Sequence, residues 1–394
     1  MDLNKNNLNK NINPSKSYAK HNSFKNFKSK NSLNSDQTIN KILEVKKSTK
    51  ILSNLSVKHR EILDKALSDL MEKNEKKIRF KLSEHVLSEI HTLPESSLLK
   101  YIVHRYRYEM FPQIKEIDDF PPYLQIEPSS ICNFRCVFCF ETDTTFTNKK
   151  NGFMGRMTYD LFKKIIDNAE GRVEFISLAS RGEPLACQDI EKMLIYTKGK
   201  FLNLKINTNA SMLDESKCHA ILSGGVKTVV FSADAADEKL YAKLRVNGKL
   251  STVLKNIERF QKIRETKYPK NPIISRVSGV KYSKEQKFDD MINLWDGLVD
   301  QIAFVDYNPW ENSYQKEPNH LKSPCSDLWR RMFVWWDGKV NPCDVDYKSK
   351  LSVGIFPDKE LSEIWKSNAY NHLRQKHIKK QRSKLIPCQS CTVI

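Results

Sequence analysis

No stretch of this 394-residue chain holds the roughly 18–20 consecutive apolar residues that a membrane-spanning helix needs, which excludes a helical membrane protein. The first residues carry lysines but lack the apolar segment of a secretory signal, so a cytoplasmic protein is expected. Acidic residues are short: 47 Asp and Glu stand against 66 Lys and Arg, a formal net charge of +19. Residues 1–50 have no Arg and only 3 acidic residues against 11 Lys, so much of the surplus sits there. A basic surface suits acidic partners of many kinds, and composition does not choose among them. Cysteine is scarce as well, at 9 residues, and in a reducing cytosol clustered thiols bind metal or react rather than pair as disulfides.

What is present divides into four stretches. Residues 1–35 are Asn, Lys and Ser with little to bury, and read as a disordered tail. Residues 36–115 carry helical periodicity, as in "VKHREILDKALSDLMEK", where Ile62, Leu63, Ala66, Leu67 and Leu70 recur at three-to-four spacing. From 116 to 310, short apolar runs alternate with helical ones: "YLQIEPS", "EFISLAS", "LNLKINTN", "KTVVFSAD", "PIISRVSG" and "QIAFVDYN" each read as strands. Six strands joined by crossover helices predict an α/β fold, a partial (β/α)6 TIM-like barrel with its chemistry at the carboxyl ends of the strands. Residues 311–394 read as a separate, small C-terminal module, with a hairpin turning at Asp337-Gly338 and "ELSEIWKSNAYNHLRQKH" as one helix.

Seven of the nine cysteines fall in two groups. "SSICNFRCVFCF" places Cys132, Cys136 and Cys139 just after the first core strand. Three thiolates from one tight loop can hold three corners of a four-iron cluster and leave one iron open for chemistry. This Cys-x3-Cys-x2-Cys spacing, with Phe138 before the third thiol, resembles the radical S-adenosylmethionine (SAM) superfamily. The resemblance implies a [4Fe–4S] cluster whose open iron is chelated by the amino and carboxylate groups of SAM. One electron from it breaks a carbon–sulfur bond, and the resulting 5′-deoxyadenosyl radical takes hydrogen from substrate. Phe138 would then lie near the adenine. "SRGEPL" resembles the family's Gly-Gly-Glu-Pro motif, with Arg181 in place of the first glycine; Gly182, Glu183 and Pro184 would receive the SAM amino group. At the next two strand ends, Asn209 of "NTNA" and Ser232 of "FSAD" would contact its ribose and carboxylate.

The second group is Cys325, Cys343, Cys388 and Cys391. Four thiolates enclose either zinc or an iron–sulfur cluster, and spacing does not separate the two. The stretches "WDGKVNPC" and "LSEIW" resemble the SPASM extension of radical SAM enzymes in a shortened, twitch-like form with four cysteines instead of seven. That implies a second, auxiliary [4Fe–4S] cluster, fully ligated and suited to accept an electron from a substrate radical. Cys187 and Cys218 match no motif and read as buried structural thiols.

The strand-end rule places Arg181, Arg276, Ser278, Tyr307 and Asn308 near the barrel mouth. We take Arg181, Arg276 and Tyr307 as catalytic candidates, since an Arg there can bind an anion or take a proton. The expectation is an oxidoreductase acting on a small polar, sugar- or amino-sugar-like molecule and reduced by flavodoxin or ferredoxin. A peptide-modifying maturase is the alternative. A zinc protein binding nucleic acid would leave the Gly-Glu-Pro motif without a purpose.

Overall fold

In each core strand, side chains alternate between a face that packs under helices and one that faces a cavity. The computed structural model describes residues 17–18, 26–30, 33–72 and 78–394. Twelve strands occur there: β1 Asn26–Ser29, β2 Tyr123–Ile126, β3 Arg135–Cys136, β4 Phe175–Leu178, β5 Asn203–Thr208, β6 Val226–Ser232, β7 Arg245–Val246, β8 Ile274–Lys281, β9 Gln301–Asp306, β10 Arg331–Val334, β11 Lys339–Asn341 and β12 Gly354–Ile355. Ten form one sheet in the order β1-β9-β8-β6-β5-β4-β2-β10-β11-β12. From β9 to β10 every neighbouring pair is parallel. The six-stranded α/β core expected from the alternation is present. Leu124, Ile176, Leu204, Val229 and Val277 form its outer face, in one apolar core with the crossover helices.

Those helices begin where the sequence supplies a cap. The Thr158 hydroxyl accepts from Leu161 N at 3.3 Å to start Tyr159–Ala169, and the Asp214 carboxylate accepts from Lys217 N at 2.9 Å to start Glu215–Ser223. Helices over Ser35–Lys46, Val57–Met71, Glu84–His91 and Glu95–Ile114 make a second core that reaches Tyr123 and Phe175 at the amino ends of β2 and β4. His104 stacks on Phe175 with ring centroids 3.8 Å apart.

Three features depart from expectation. Within the stretch read as a disordered tail, Asn26–Ser29 pairs antiparallel with β9, and Tyr18 bridges to Val393; residues 1–16, 19–25 and 31–32 of that stretch lie outside the described residues. The C-terminal hairpin is not separate, because β10 pairs in parallel with β2 and extends the core sheet. The stretch read as one helix is two, Leu361–Trp365 and Asn368–Ile378, since the Ser367 hydroxyl turns to cap the second by accepting from Tyr370 N at 3.2 Å. Among the described residues no helix is long and apolar enough to cross a membrane.

Candidate functional site

The cysteine loop is held by backbone before any cofactor is considered. Gly182 lies flat against it: a Cβ there would stand 2.4 Å from Ser129 O and 2.5 Å from Ser130 C. Glu183 N donates to Ile131 O at 3.0 Å, so the Gly-Glu-Pro segment and the loop move as one. Gly182→Ala is therefore expected to push back the backbone ahead of Cys132, at about 1–3 kcal/mol of overpacking. Less iron at the first cysteine group after reconstitution, with the distal group unchanged, is the measurable result. A short ladder of β3 with β7 sets Cys136 opposite Arg245. Phe134, Phe138 and Phe140 are buried around the three half-buried thiols.

Glu183 is buried, and its carboxylate accepts from Thr208 Oγ1 at 2.7 Å, Asn209 N at 2.7 Å and Leu185 N at 3.0 Å. Burial pushes its pKa up against these three donors. Asn209 reaches the loop through Asn133, donating at 3.0 Å, with Cys132 Sγ 4.0 Å from the same nitrogen. Pro184 opens a 3-10 turn. Gly182, Glu183, Pro184 and Asn209 thus gather behind the cysteine loop. Ser232 ends β6 in register with Ser278, and Ser278 lines the cavity.

Sequence reasoning missed Asp234 and Arg245. Asp234 is fully buried and accepts from Arg245 Nε at 2.5 Å and Val280 N at 2.6 Å, while Arg245 Nη1 stands 3.8 Å from Cys136 Sγ. This places a fixed positive charge beside one thiol. Burial raises the Cys136 pKa to about 11 against the pull of Arg245; burial and the neighbouring Cys136 raise that of Cys139 well above the usual thiol range. The signal lay in "FSAD", whose last residue is an acid at the end of a buried strand.

Two catalytic candidates are corrected by their surroundings. Arg181 does not face the cavity: its guanidinium is spent on buried Glu127, at 2.6 Å from both Nε and Nη2, and on Tyr347 O at 2.9 Å. The preceding Ser180 has φ +142°, which costs about 1–3 kcal/mol and turns Arg181 inward. Arg276 is not at the mouth. Its Nε donates to Gln301 Oε1 at 2.7 Å, and it lies 5.6 Å from the ring centroid of Phe27 on β1. Tyr307 and Asn308 do line the mouth; the Tyr307 hydroxyl donates to Glu311, and burial together with that carboxylate raises its pKa.

The distal thiols share one neighbourhood. Cys325, Cys343 and Cys391 pack with Val345, Val393 and Trp310. Burial raises the pKa of Cys343 and Cys388 well above the usual thiol range, and Cys325 to about 12; thiol neighbours within the group add to each. Crowded thiols of this kind lose their protons together when a cation arrives to bind them, as iron does. Among the described residues no three His, Cys, Asp or Glu side chains converge as around a single metal ion. The thiols of each group act electrostatically on one another, and thiolate is the ligand type that holds iron–sulfur clusters. Trp310 connects the two groups: it packs on the distal thiols and its indole donates to Phe138 O at 3.0 Å.

Comparison with known proteins agrees with this geometry. The radical SAM superfamily model matches residues 126–294, and an iron–sulfur cluster-binding SPASM model matches residues 325–392. The chain carries a radical SAM domain followed by a short SPASM domain. These two domains support SAM and [4Fe–4S] clusters as cofactors. GTP 3′,8-cyclase of Clostridium botulinum is 26% identical over 194 residues, 48% of this chain and 56% of that protein. The chain thus spans little more than half the length of these curated relatives. A tungsten-containing aldehyde ferredoxin oxidoreductase cofactor-modifying protein of Pyrococcus furiosus is 26% identical over 302 residues, 64% of this chain and 83% of that one. Among solved structures, Streptococcus suis SuiB aligns at a TM-score of 0.50 and 17% identity over 91% of this chain and 87% of that one, which shows the fold.

Proposed function

We propose that the chain is a radical SAM oxidoreductase for a small polar molecule of sugar or amino-sugar type. One observation carries this reading: a cavity of about 330 Å³ opens on the inner face of the sheet, lined at its mouth by Ser278, Tyr307 and Asn308. That volume lies at the low end for small-ligand pockets, which start at about 300 Å³. Phe138 of the first cysteine loop and Asp344, next to Cys343, border the same cavity, so a molecule in it adjoins both thiol groups.

Cys132, Cys136 and Cys139 would hold a cluster that would supply the electron for reductive cleavage of SAM. The protein's residues do the rest. Glu183 and Asn209 would form the wall for the SAM amino acid and ribose, and Phe138 for its adenine. The buried phenylalanines exclude water. Cys325, Cys343, Cys388 and Cys391 would hold the auxiliary cluster, which would supply an electron acceptor, and Trp310 packs between the two groups. A small acidic flavodoxin or ferredoxin suits the basic surface as electron donor.

The test is a screen of carbon-deuterated sugars, amino sugars and peptides with the anaerobically reconstituted protein. Deuterium in 5′-deoxyadenosine together with a two-electron-oxidised sugar is the expected result. Deuterium transfer from peptides alone would overturn the reading.

A further inference from the structure

A barrel interior of this type is usually filled by branched apolar side chains. Here the inward positions read Gln125, Ser177, Lys205 and Arg276 instead. The cavity runs from the mouth down to the amino ends of the strands, where the N-terminal helices contribute Glu89, Arg105 and Tyr108 to its floor. A function for those helices follows from what they enclose.

Lys205, Arg276 and Arg331 meet at this floor. Lys205 Nζ stands 5.8 Å and Arg331 Cζ 5.0 Å from the centroid of the same Tyr123 ring. Neutral groups aim the two arginines. Gln301 receives Arg276 and itself donates to Ser88 Oγ at 2.8 Å, while Tyr108 OH accepts from Arg331 Nε at 3.0 Å. Acids are few. Arg105 is matched by Glu109, and the Glu89 carboxylate accepts from Tyr101 OH at 2.7 Å. Asp327 lies 3.9 Å from Arg331 Nε. Among the described residues no carboxylate stands within ion-pair distance of Lys205, and Glu89 acts on it from further away.

The crowding registers in the titrating groups. Burial first, then Arg331 and Arg276, pull the Lys205 amine down to about 8. Although burial pushes the other way, Arg331 and Arg330 hold the Tyr108 phenol at about 8. Buried positive charge in excess is costly unless an anion meets it. A carboxylate brings one negative charge. A phosphate monoester brings about 1.5 to 2 at neutral pH and three acceptor oxygens, one for each cation.

We propose that the floor binds a phosphoryl group, so that the substrate is a phosphorylated small molecule with its anionic end at Lys205, Arg276 and Arg331. Its reacting carbon lies at the mouth beside Phe138. Asn209 lies four positions beyond Lys205 along β5 and its end, about 13 Å of extended chain, which sets the length of the molecule. This assignment rests on the oxidoreductase reading above and narrows its substrate.

The test is a calorimetric titration of the reconstituted full chain with inorganic phosphate, ionic strength held constant with chloride. One saturable site per chain is expected. Lys205→Met should raise Kd at least tenfold, and Lys205→Arg should keep it within about threefold of the parent. Iron content and thermal melting identify folded variants, and Arg276→Gln carries the same tenfold expectation if Lys205→Met does not fold. No saturable phosphate binding by the parent, acetate bound as tightly as phosphate, or a parent-like Kd in a folded Lys205→Met or Arg276→Gln variant would overturn the site. The titration uses neither SAM nor reductant, so its failure leaves the radical chemistry standing; absent deuterium transfer removes that chemistry and leaves the floor site standing.

Discussion

Cys136→Ala, reconstituted anaerobically, is expected to hold about four irons per chain where the parent holds about eight, and to form no 5′-deoxyadenosine. The parent figure counts two four-iron clusters on separate thiol groups. The thiols that act electrostatically on Cys139 are Cys136 and Cys132, while those acting on Cys343 are Cys388, Cys325 and Cys391. Removing a ligand from one group should therefore spare the other. Cys388→Ala is the reciprocal case: about four irons again, but SAM cleavage retained and the oxidised product lost. Iron and zinc analysis beside product assay decides both. If Cys388→Ala still yields oxidised product, the acceptor role of the distal group fails; four irons and one zinc in the parent would remove that role outright.

The second large effect is one of stability. Arg181→Met should cost about 3–5 kcal/mol, the usual consequence of removing one partner from a buried ion pair. Glu127 and Arg181 have side chains 0% and 2% exposed and meet in a bidentate contact at 2.6 Å. The guanidinium also lies 4.3 Å from the Trp335 ring centroid and 5.5 Å from that of Phe146, and it donates to Tyr347 O. Trp336 N donates to Glu127 at 3.3 Å as well, so the pair ties the first core strand, the Gly-Glu-Pro segment and the C-terminal region together. Losing Arg181 strands the Glu127 charge in the interior. Arg181→Met combined with Glu127→Leu should recover most of the loss, because the double change leaves no unpaired charge. Urea midpoints of the two single variants and the double variant measure this. Unchanged stability in Arg181→Met would refute the structural role and reopen a catalytic one.

The core strands were legible because each is a short apolar run between helical segments, and a parallel strand must alternate with its crossover. The cysteine groups were legible because ligand spacing is local. Pairings between distant segments were not. Nothing in "RRMFV" says that β10 lies parallel to β2, some 200 residues earlier, and Asn26–Ser29 is too polar to read as a strand before β9 is there to meet it. Side-chain direction was the other gap. Lys205 in "LNLKINTN" alternates with Leu204 and Ile206, a pattern that normally puts the charge in water; only the curl of the sheet turns it inward. Arg181 was misread because the acid that claims it stands 54 positions away.

The short ladder between β1 and β9 has a practical consequence. A shortened chain beginning after residue 32 would strip four residues of backbone pairing from β9 and leave an open strand border. Such borders recruit other copies of the same protein. Trimming the lysine-rich N-terminal stretch to ease crystallisation would thus favour self-association, and the cut is better placed ahead of Ser17, which keeps both β1 and the Tyr18 bridge to Val393.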